Sequence, residues 1–238
     1  MNKISSNQFV VGDFVKVTKI VGDQIHKLKT VIILPCSLHD LAQAQKNHFY
    51  NQVDIYLTDG MPLVWYLSIK NKKPIDRIYG PNLMKFILKK NKNKNPISVF
   101  LGANQNTLSR LRKIIPKKPG NSFLLLKKSD TAKKEQQILD QIIKVQPNIL
   151  WIGIGSPKQV ELAARLKPKL KNTTIFCVGA AFDFIGGIKK QAPRWIQRSG
   201  LEWLFRLITE PQRLSGRYLV IIPKYILSII IKKIFRKI

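Results

Sequence analysis

Six short apolar or β-branched runs recur along the chain, at Val31–Leu34, Val53–Leu57, Ile97–Leu101, Phe123–Leu126, Ile149–Ile154 and Thr174–Val178. Their spacing limits the possible folds more than any other feature. Continuous apolar runs of this length read as strands buried on both faces. The stretches between them are long enough for helices, so the alternation predicts an α/β fold. Helices are predicted over Leu38–Tyr50, Gly60–Lys70, Pro81–Lys89, Thr107–Ile115, Thr131–Val145 and Ser156–Leu166, with Ser129, Asp130 or Thr131 available to cap the fifth. Lys89–Asn95 and Lys113–Pro119 read as solvated turns. At 238 residues, 45% of them apolar, the chain can bury a full core and still carry an appendage.

Charge narrows the partners. Lys and Arg number 42 against 13 Asp and Glu, a formal net charge of +29, and such a field must meet something anionic. Nucleic acid, anionic lipid headgroups and diphosphate substrates all qualify. Cys36 and Cys177 stand far apart with no metal-ligand spacing around them, so neither a disulfide framework nor a zinc site is expected, and a reducing compartment is the simpler reading. Met1–Val10 lacks the apolar core of a signal peptide, which points to a protein kept inside the cell. No segment reaches the roughly 20 apolar residues of a spanning helix. After Ile188 the texture changes: Arg and Trp become frequent, and Tyr218–Ile238 holds two Ile-rich runs interrupted by Pro223-Lys224. This tail reads as an interfacial segment held electrostatically by Lys232, Lys233, Arg236 and Lys237, the alternative being a terminal helix packed on the domain.

Four stretches carry the chemistry. In Leu57-Thr58-Asp59-Gly60-Met61-Pro62 a carboxylate follows an apolar strand, although an Asp-Gly pair alone is more often a turn than a base. In Ile152-Gly153-Ile154-Gly155-Ser156-Pro157-Lys158-Gln159 a glycine turn opens a helix whose amides can hold a phosphate or a sugar hydroxyl; the full dinucleotide and Walker patterns are missing, and a plain turn is the alternative. Val178-Gly179-Ala180-Ala181-Phe182-Asp183 sets a lone acid among small and apolar residues, where it can receive ribose or base hydrogen bonds or simply pair within the fold. Arg206, Arg213 and Arg217 fall within little more than three helical turns, a guanidinium supply suited to a diphosphate or else a solvated basic face. Trp195 and Trp203 read as core or interface anchors, and His39 and His48 as ordinary helix residues.

Taken in order, these stretches resemble the WecG/TagA/CpsF glycosyltransferase family. The resemblance runs from about Thr30 to Tyr218. It is carried by Asp59-Gly60-x-Pro62 with Trp65, Arg77-x-x-Gly80, Phe100-Leu101-Gly102, Gly153-x-Gly155-Ser156-Pro157-Lys158-Gln159, Gly179-Ala180-x-x-Asp183-Phe184-x-x-Gly187, and Ala192-Pro193 through Arg213. It implies a Rossmann-like glycosyltransferase core over 1–187 and an arginine-rich, membrane-associating appendage over 188–238. The implied reaction is inverting transfer of an N-acetylhexosamine, commonly N-acetylmannosamine, from a UDP-sugar to an undecaprenyl-diphosphate-linked sugar in cell-surface polymer assembly. Asp59 would be the base, and Arg206, Arg213 and, in a binding role, Arg217 would meet the UDP leaving group. Arg77, Gly155, Gln159 and Asp183 would line the pocket. Where the family shows Thr-x-Asn after its first core strand, this chain has Ser37-Leu38-His39, so the polar group there comes from Ser37 or His39 or is missing.

The sequence has no Asp-x-Asp pair to hold a divalent ion, so no metal and no cofactor are expected. The expected location is cytoplasmic, peripheral on the inner face of the cell membrane, with self-association possible. Transfer of a different hexose is the nearest alternative within the class. A non-catalytic basic protein binding membrane or nucleic acid is the rival class; against nucleic acid, the lysines are scattered and no recognition signature is present.

Overall fold

The computed structural model describes residues 9–25, 28–90, 96–102, 104–115, 121–127 and 130–235, with side chains as far as residue 230. Seven parallel strands form one sheet: β1 (Phe9–Val10), β2 (Val31–Cys36), β3 (Ile55–Thr58), β4 (Ser98–Gly102), β5 (Ser122–Leu125), β6 (Ile149–Gly153) and β7 (Thr174–Cys177), in the order β1-β3-β2-β7-β6-β4-β5. The six strands expected from sequence are present within two residues at either end; β1, two residues long, is additional. Helices α1 (Phe14–Gln24), α2 (Leu38–Ala44), α3 (Met61–Asn71), α4 (Gly80–Lys90), α5 (Gln105–Ile114), α6 (Ala132–Val145), α7 (Lys158–Leu166) and α8 (Ala181–Ile185) connect or follow the strands. Thr131 is the cap of α6, its hydroxyl accepting from the Lys134 N–H. The long helix expected over Leu38–Tyr50 stops at Ala44 and resumes as a 3₁₀ turn, His48–Gln52, capped by the Asn47 side chain. Lys89, Lys90 and Lys113 are helical rather than parts of turns; residues 91–95 and 116–119 of those expected turns lie outside the described residues.

Both faces of the sheet are covered, as the unbroken apolar runs require. On one face Ile32, Leu34, Leu101, Leu150 and Ile175 pack with helix residues such as Leu139 and Leu162. On the other, Trp151 stacks on Phe176 at 4.4 Å and on Phe100 at 6.4 Å, closing against residues such as Met84 and Leu111. Each aromatic pair contributes about 0.5–1.5 kcal/mol beyond its area. Cys36 and Cys177 are free and buried.

In parallel α/β sheets of this kind ligands sit in the crevice outside the carboxyl ends of the strands. Register aligns those ends: Cys36 pairs with Thr58, and Ile152 with Cys177. After β7 the chain runs through α9 (Arg194–Arg198), α10 (Glu202–Thr209), α11 (Pro211–Ser215), a π-helical turn (Gly216–Ile221) and α12 (Ile222–Phe235). Pro223 does not divide the tail into two runs. The helical backbone runs without a break from α11 through the π-helical turn into α12, and Pro223 follows directly on the wider π-helical turn, where the regular bonding of the α-helix is already interrupted.

Candidate active site

Asp59 stands immediately beyond β3. Its N–H donates to the Cys36 carbonyl at 3.0 Å, extending the ladder by one step so that the side chain leaves the sheet at its carboxyl edge. Gly60 then turns with φ 102, a conformation that L side chains rarely adopt, and α3 starts with Pro62 in its first turn. Strand end, carboxylate position and helix start are thereby set by four consecutive residues. The Asp59 Oδ1 accepts from Arg77 Nε at 3.0 Å and lies 2.9 Å from Arg77 Nη2. The third guanidinium nitrogen, Nη1, pairs with Glu202 Oε2 from α10. Arg77 lies flat over Tyr79, 4.3 Å from the ring centroid. Burial pushes the Asp59 carboxyl above the ordinary aspartate value, Arg77 and Arg206 pull it back, and Glu202 adds to the rise. A carboxylate with raised affinity for a proton is what a general base at neutral pH requires.

Beside it, at the end of β2, Ser37 caps α2. Asp40 Oδ2 accepts from the Ser37 N–H at 2.9 Å and hydroxyl at 2.7 Å, and Asp40 Oδ1 accepts from Ser156 at 2.6 Å. Arg217 Nη2 donates to Ser37 Oγ at 2.9 Å, bringing a guanidinium from the π-helical turn onto the strand ends. Gln159 is buried, and its carboxamide accepts from the Gly179 N–H at 2.9 Å while donating to Ser156 Oγ at 3.1 Å. It therefore fixes the loops after β6 and β7 relative to each other instead of facing open space. A Cβ on Gly155 would meet nothing within 4 Å, so this turn does border free volume.

Asp183 lies on a separate network. Its carboxylate accepts from Thr107 Oγ1 at 2.8 Å and pairs with Lys189 at 3.0 Å; Lys189 pairs with Glu210 at 2.7 Å, and Glu210 accepts from Arg213 Nε at 2.6 Å. The three arginines expected as one cluster are thus divided. Arg206 acts on Asp59 and lies over Phe184, Arg217 reaches Ser37, and Arg213 is held by Glu210 with nearly half its side chain exposed. The helix that carries Arg206 ends at Glu210, and Arg213 and Arg217 lie on the next helical run, which a single-helix spacing does not anticipate.

Sequence reasoning missed Glu202, Asp40 and Tyr79. A helix-opening glutamate and an N3 aspartate look like capping residues, and only tertiary contact brings Glu202 to Arg77. His39 was read as an ordinary helix residue, but it is buried with Nδ1 unpartnered; burial and Arg217 hold its pKa down at about 4 against the opposing pull of Asp40. Among the described residues, Tyr79 Oη, Arg206 Nε and Arg217 Nε are likewise buried without a protein partner. Buried polar atoms are rarely left unpaired, and these four lie around the Asp59 and Ser37 strand ends, where a ligand rich in hydroxyl and phosphate oxygens can satisfy them. Trp195 and Trp203 are exposed, which excludes the core alternative and leaves them as interface anchors. An open groove of about 790 Å³ lies at the opposite end of the sheet, between Thr30, His48, Lys167 and Asn172, away from these carboxylates.

The profile of the Glycosyl transferase WecG/TagA/CpsF family matches residues 6–238. Relatives include the N-acetylglucosaminyldiphosphoundecaprenol N-acetyl-beta-D-mannosaminyltransferases of Bacillus spizizenii, 27% identical over 79% of this chain and 74% of that protein, and of Bacillus subtilis, 26% identical over 73% and 67%. The Staphylococcus aureus NCTC 8325 protein of the same name is 26% identical over 69% of this chain and 65% of its own length. With the match running from before β1 into the last helix, and with strand-end aspartate, glycine turns and C-terminal arginines in one sheet edge, the chain belongs to the WecG/TagA/CpsF glycosyl transferase family.

Proposed function

We propose that this glycosyltransferase moves N-acetylmannosamine, with inversion, from a UDP donor to N-acetylglucosaminyl-diphosphoundecaprenol. The donor-sugar and acceptor assignment follows the names of the relatives; the observation that carries the chemistry is the partly buried Asp59 carboxylate at the carboxyl end of β3 with Arg77 and Arg206 acting on it. In this reading Asp59 takes the proton of the acceptor hydroxyl as its oxygen attacks the anomeric carbon. The bond from that carbon to the diphosphate breaks on the opposite face, and the electron pair leaves on UDP. Arg206 and Arg217 meet the charge developing there, a role in which fixed guanidinium groups replace solvent. Arg213 stands at the outer end of the same helices and joins them only by leaving Glu210. Ser37 and the Gly155 turn border the substrates, with Gln159 holding that turn in place.

The division at residues 187 and 188 then has a chemical meaning: the sheet supplies the base and the following helices supply the arginines. Those helices also supply a lipid-facing surface. Trp203, Leu204, Ile208, Leu219, Leu227 and Ile230 are exposed, and α3 adds Trp65, Tyr66 and Ile69 beside them. Among the described residues no helix is long and apolar enough to cross a membrane. Apolar side chains on a chain of net charge +29 suit the interface of an anionic leaflet, where the acceptor resides. The side chains of Lys232 and Lys233, and Arg236 and Lys237 entirely, lie outside the described residues.

The test is a panel of UDP-N-acetylhexosamines offered with the lipid-diphosphate acceptor in anionic vesicles, with EDTA present. Acceptor-dependent transfer from UDP-N-acetylmannosamine, giving the β-linked disaccharide and unaffected by EDTA, is expected. Transfer from another donor alone would reassign the sugar, and loss of transfer in EDTA would overturn the metal-independent mechanism.

A further inference from the structure

Glu202 is the part of this site that the proposed chemistry does not use. It opens α10, is 7% exposed, and shares the Arg77 guanidinium with Asp59. Two carboxylates share this one largely buried cation, with Arg206 acting on Asp59 as well, a charged cluster whose desolvation cost fold stability alone does not call for. The geometry gives it a purpose. One edge of the guanidinium, Nε and Nη2, grips Asp59, while the outer nitrogen Nη1 is taken by Glu202 and the flat face rests on Tyr79. With edge, face and outer nitrogen all engaged, Arg77 has one orientation.

The same corner of the C-terminal helices touches the base loop a second time. Gly200, two residues before Glu202, lies so close to Trp65 that an added Cβ would stand 2.4 Å from the ring and 3.4 Å from Met61 Cβ. Met61 and Trp65 belong to α3, the helix that begins directly after Asp59-Gly60. Docking of this corner is therefore read by the base on both sides, through α3 and through Arg77.

We propose that Glu202 is a positioning residue through which docking of the C-terminal helices seats and charges the catalytic base: it locks Arg77 on Asp59 and sets a second negative charge beside it. The proposal rests on the reading of Asp59 as the base. The groups that face Asp59 are Arg77 and Tyr79 from the approach to α4, Glu202 and Arg206 from α10, and Cys36 from β2. Of these, Glu202 raises the proton affinity of Asp59 while the two arginines lower it. Removing only the Glu202 charge must then move the Asp59 titration to lower pH. A merely structural contact would leave it where it is.

The experiment uses the full chain, with Glu202→Gln keeping an oxygen for Arg77 Nη1 and Glu202→Ala removing it. Asp59 is titrated by ¹³C NMR in protein labelled at aspartate carboxyls, its resonance assigned with Asp59→Asn. A downward shift in Glu202→Gln is expected, and an unmoved titration overturns the proposal whether or not any donor is turned over. In the transfer assay the acidic limb of kcat/KM should move the same way in Glu202→Gln. In Glu202→Ala kcat should fall roughly 10–100-fold, at or below the lower end of the 10²–10⁴ that the positioned base itself contributes, and Gln should restore part of it. Equal losses in Gln and Ala with a fixed acidic limb would contradict a positioning role. A wild type silent with every donor would instead overturn the transferase reading, leaving the NMR result to decide the role of Glu202.

Discussion

Two networks join the sheet to the C-terminal helices, and they use the same ingredients to different ends. In each, an aspartate, Asp59 directly after β3 or Asp183 in α8, faces a glutamate from α10 or its end across a shared cation: Asp59–Arg77–Glu202 in one, Asp183–Lys189–Glu210 in the other. In the first, the cation and the glutamate are deeper than their counterparts, the cation is a planar guanidinium lying over Tyr79, and burial pushes Asp59 up. In the second, burial also pushes Glu210 up, but hydrogen bonds from Arg213 and Lys189 outweigh it and bring the pKa down to about 2. A carboxylate held that far down keeps its charge and serves as a clasp. One held up takes protons, which is the property a base needs.

Substitutions can break this contrast. The largest effect is expected at Asp59: Asp59→Asn should lower turnover by about 10³, within the range for a general base, with circular dichroism unchanged. Asp183→Asn should not reproduce that loss or alter the acidic limb of the rate profile; if it does, the two networks are not distinct. Next comes Arg206→Ala, expected to lower kcat about 10²-fold, as removal of one charge-stabilising donor does, with a smaller change in KM. Arg213→Ala should cost less, because Glu210 holds that side chain outward.

Gly200→Ala tests the junction. With φ 78 and the Trp65 ring at 2.4 Å from the new Cβ, it should destabilise docking of the helices by about 2 kcal/mol, measured as a lower denaturation midpoint and faster proteolysis beyond residue 187. The smallest effect belongs to Glu210→Gln. The Glu210 pKa is depressed from 4.5 to about 2, so its stabilisation is fully present above the unfolded value and is lost as pH falls toward 2. At neutral pH it contributes roughly 1 kcal/mol, well below the full linkage value because the Arg213 side is half exposed and screened. Wild type and variant should therefore differ in urea midpoint at pH 7 and converge near pH 2.

The strands and the turn that carries Asp59 were legible because each has a local cause. An apolar run buried on both faces does not resemble anything else, and Asp59-Gly60-x-Pro62 encodes strand end, turn and helix start in consecutive residues. Phe9–Val10 was too short to stand out, and α1 follows it in a stretch whose lysines mask its buried Val17 and Val21. Glu202 was illegible for a different reason: it lies 125 positions from Arg77, and nothing in Leu201-Glu202-Trp203 distinguishes a buried bridging carboxylate from a helix-opening one. Pro223 misled because a proline among isoleucines reads as a break, whereas the π-helical turn just before it lets the helix run on through it. Arg213 misled because spacing along the chain says nothing about the turn at Pro211, which sends it to Glu210.

The central claim is that Asp59 is the base of a glycosyl transfer, and acceptor-dependent UDP release tests it most directly. Wild type and Asp59→Asn are compared with UDP-N-acetylmannosamine and the lipid-diphosphate N-acetylglucosamine acceptor at equal protein and vesicle concentrations. The account predicts UDP release that requires acceptor in the wild type and falls about a thousandfold in the variant. Release at an undiminished rate from a folded Asp59→Asn chain would contradict it.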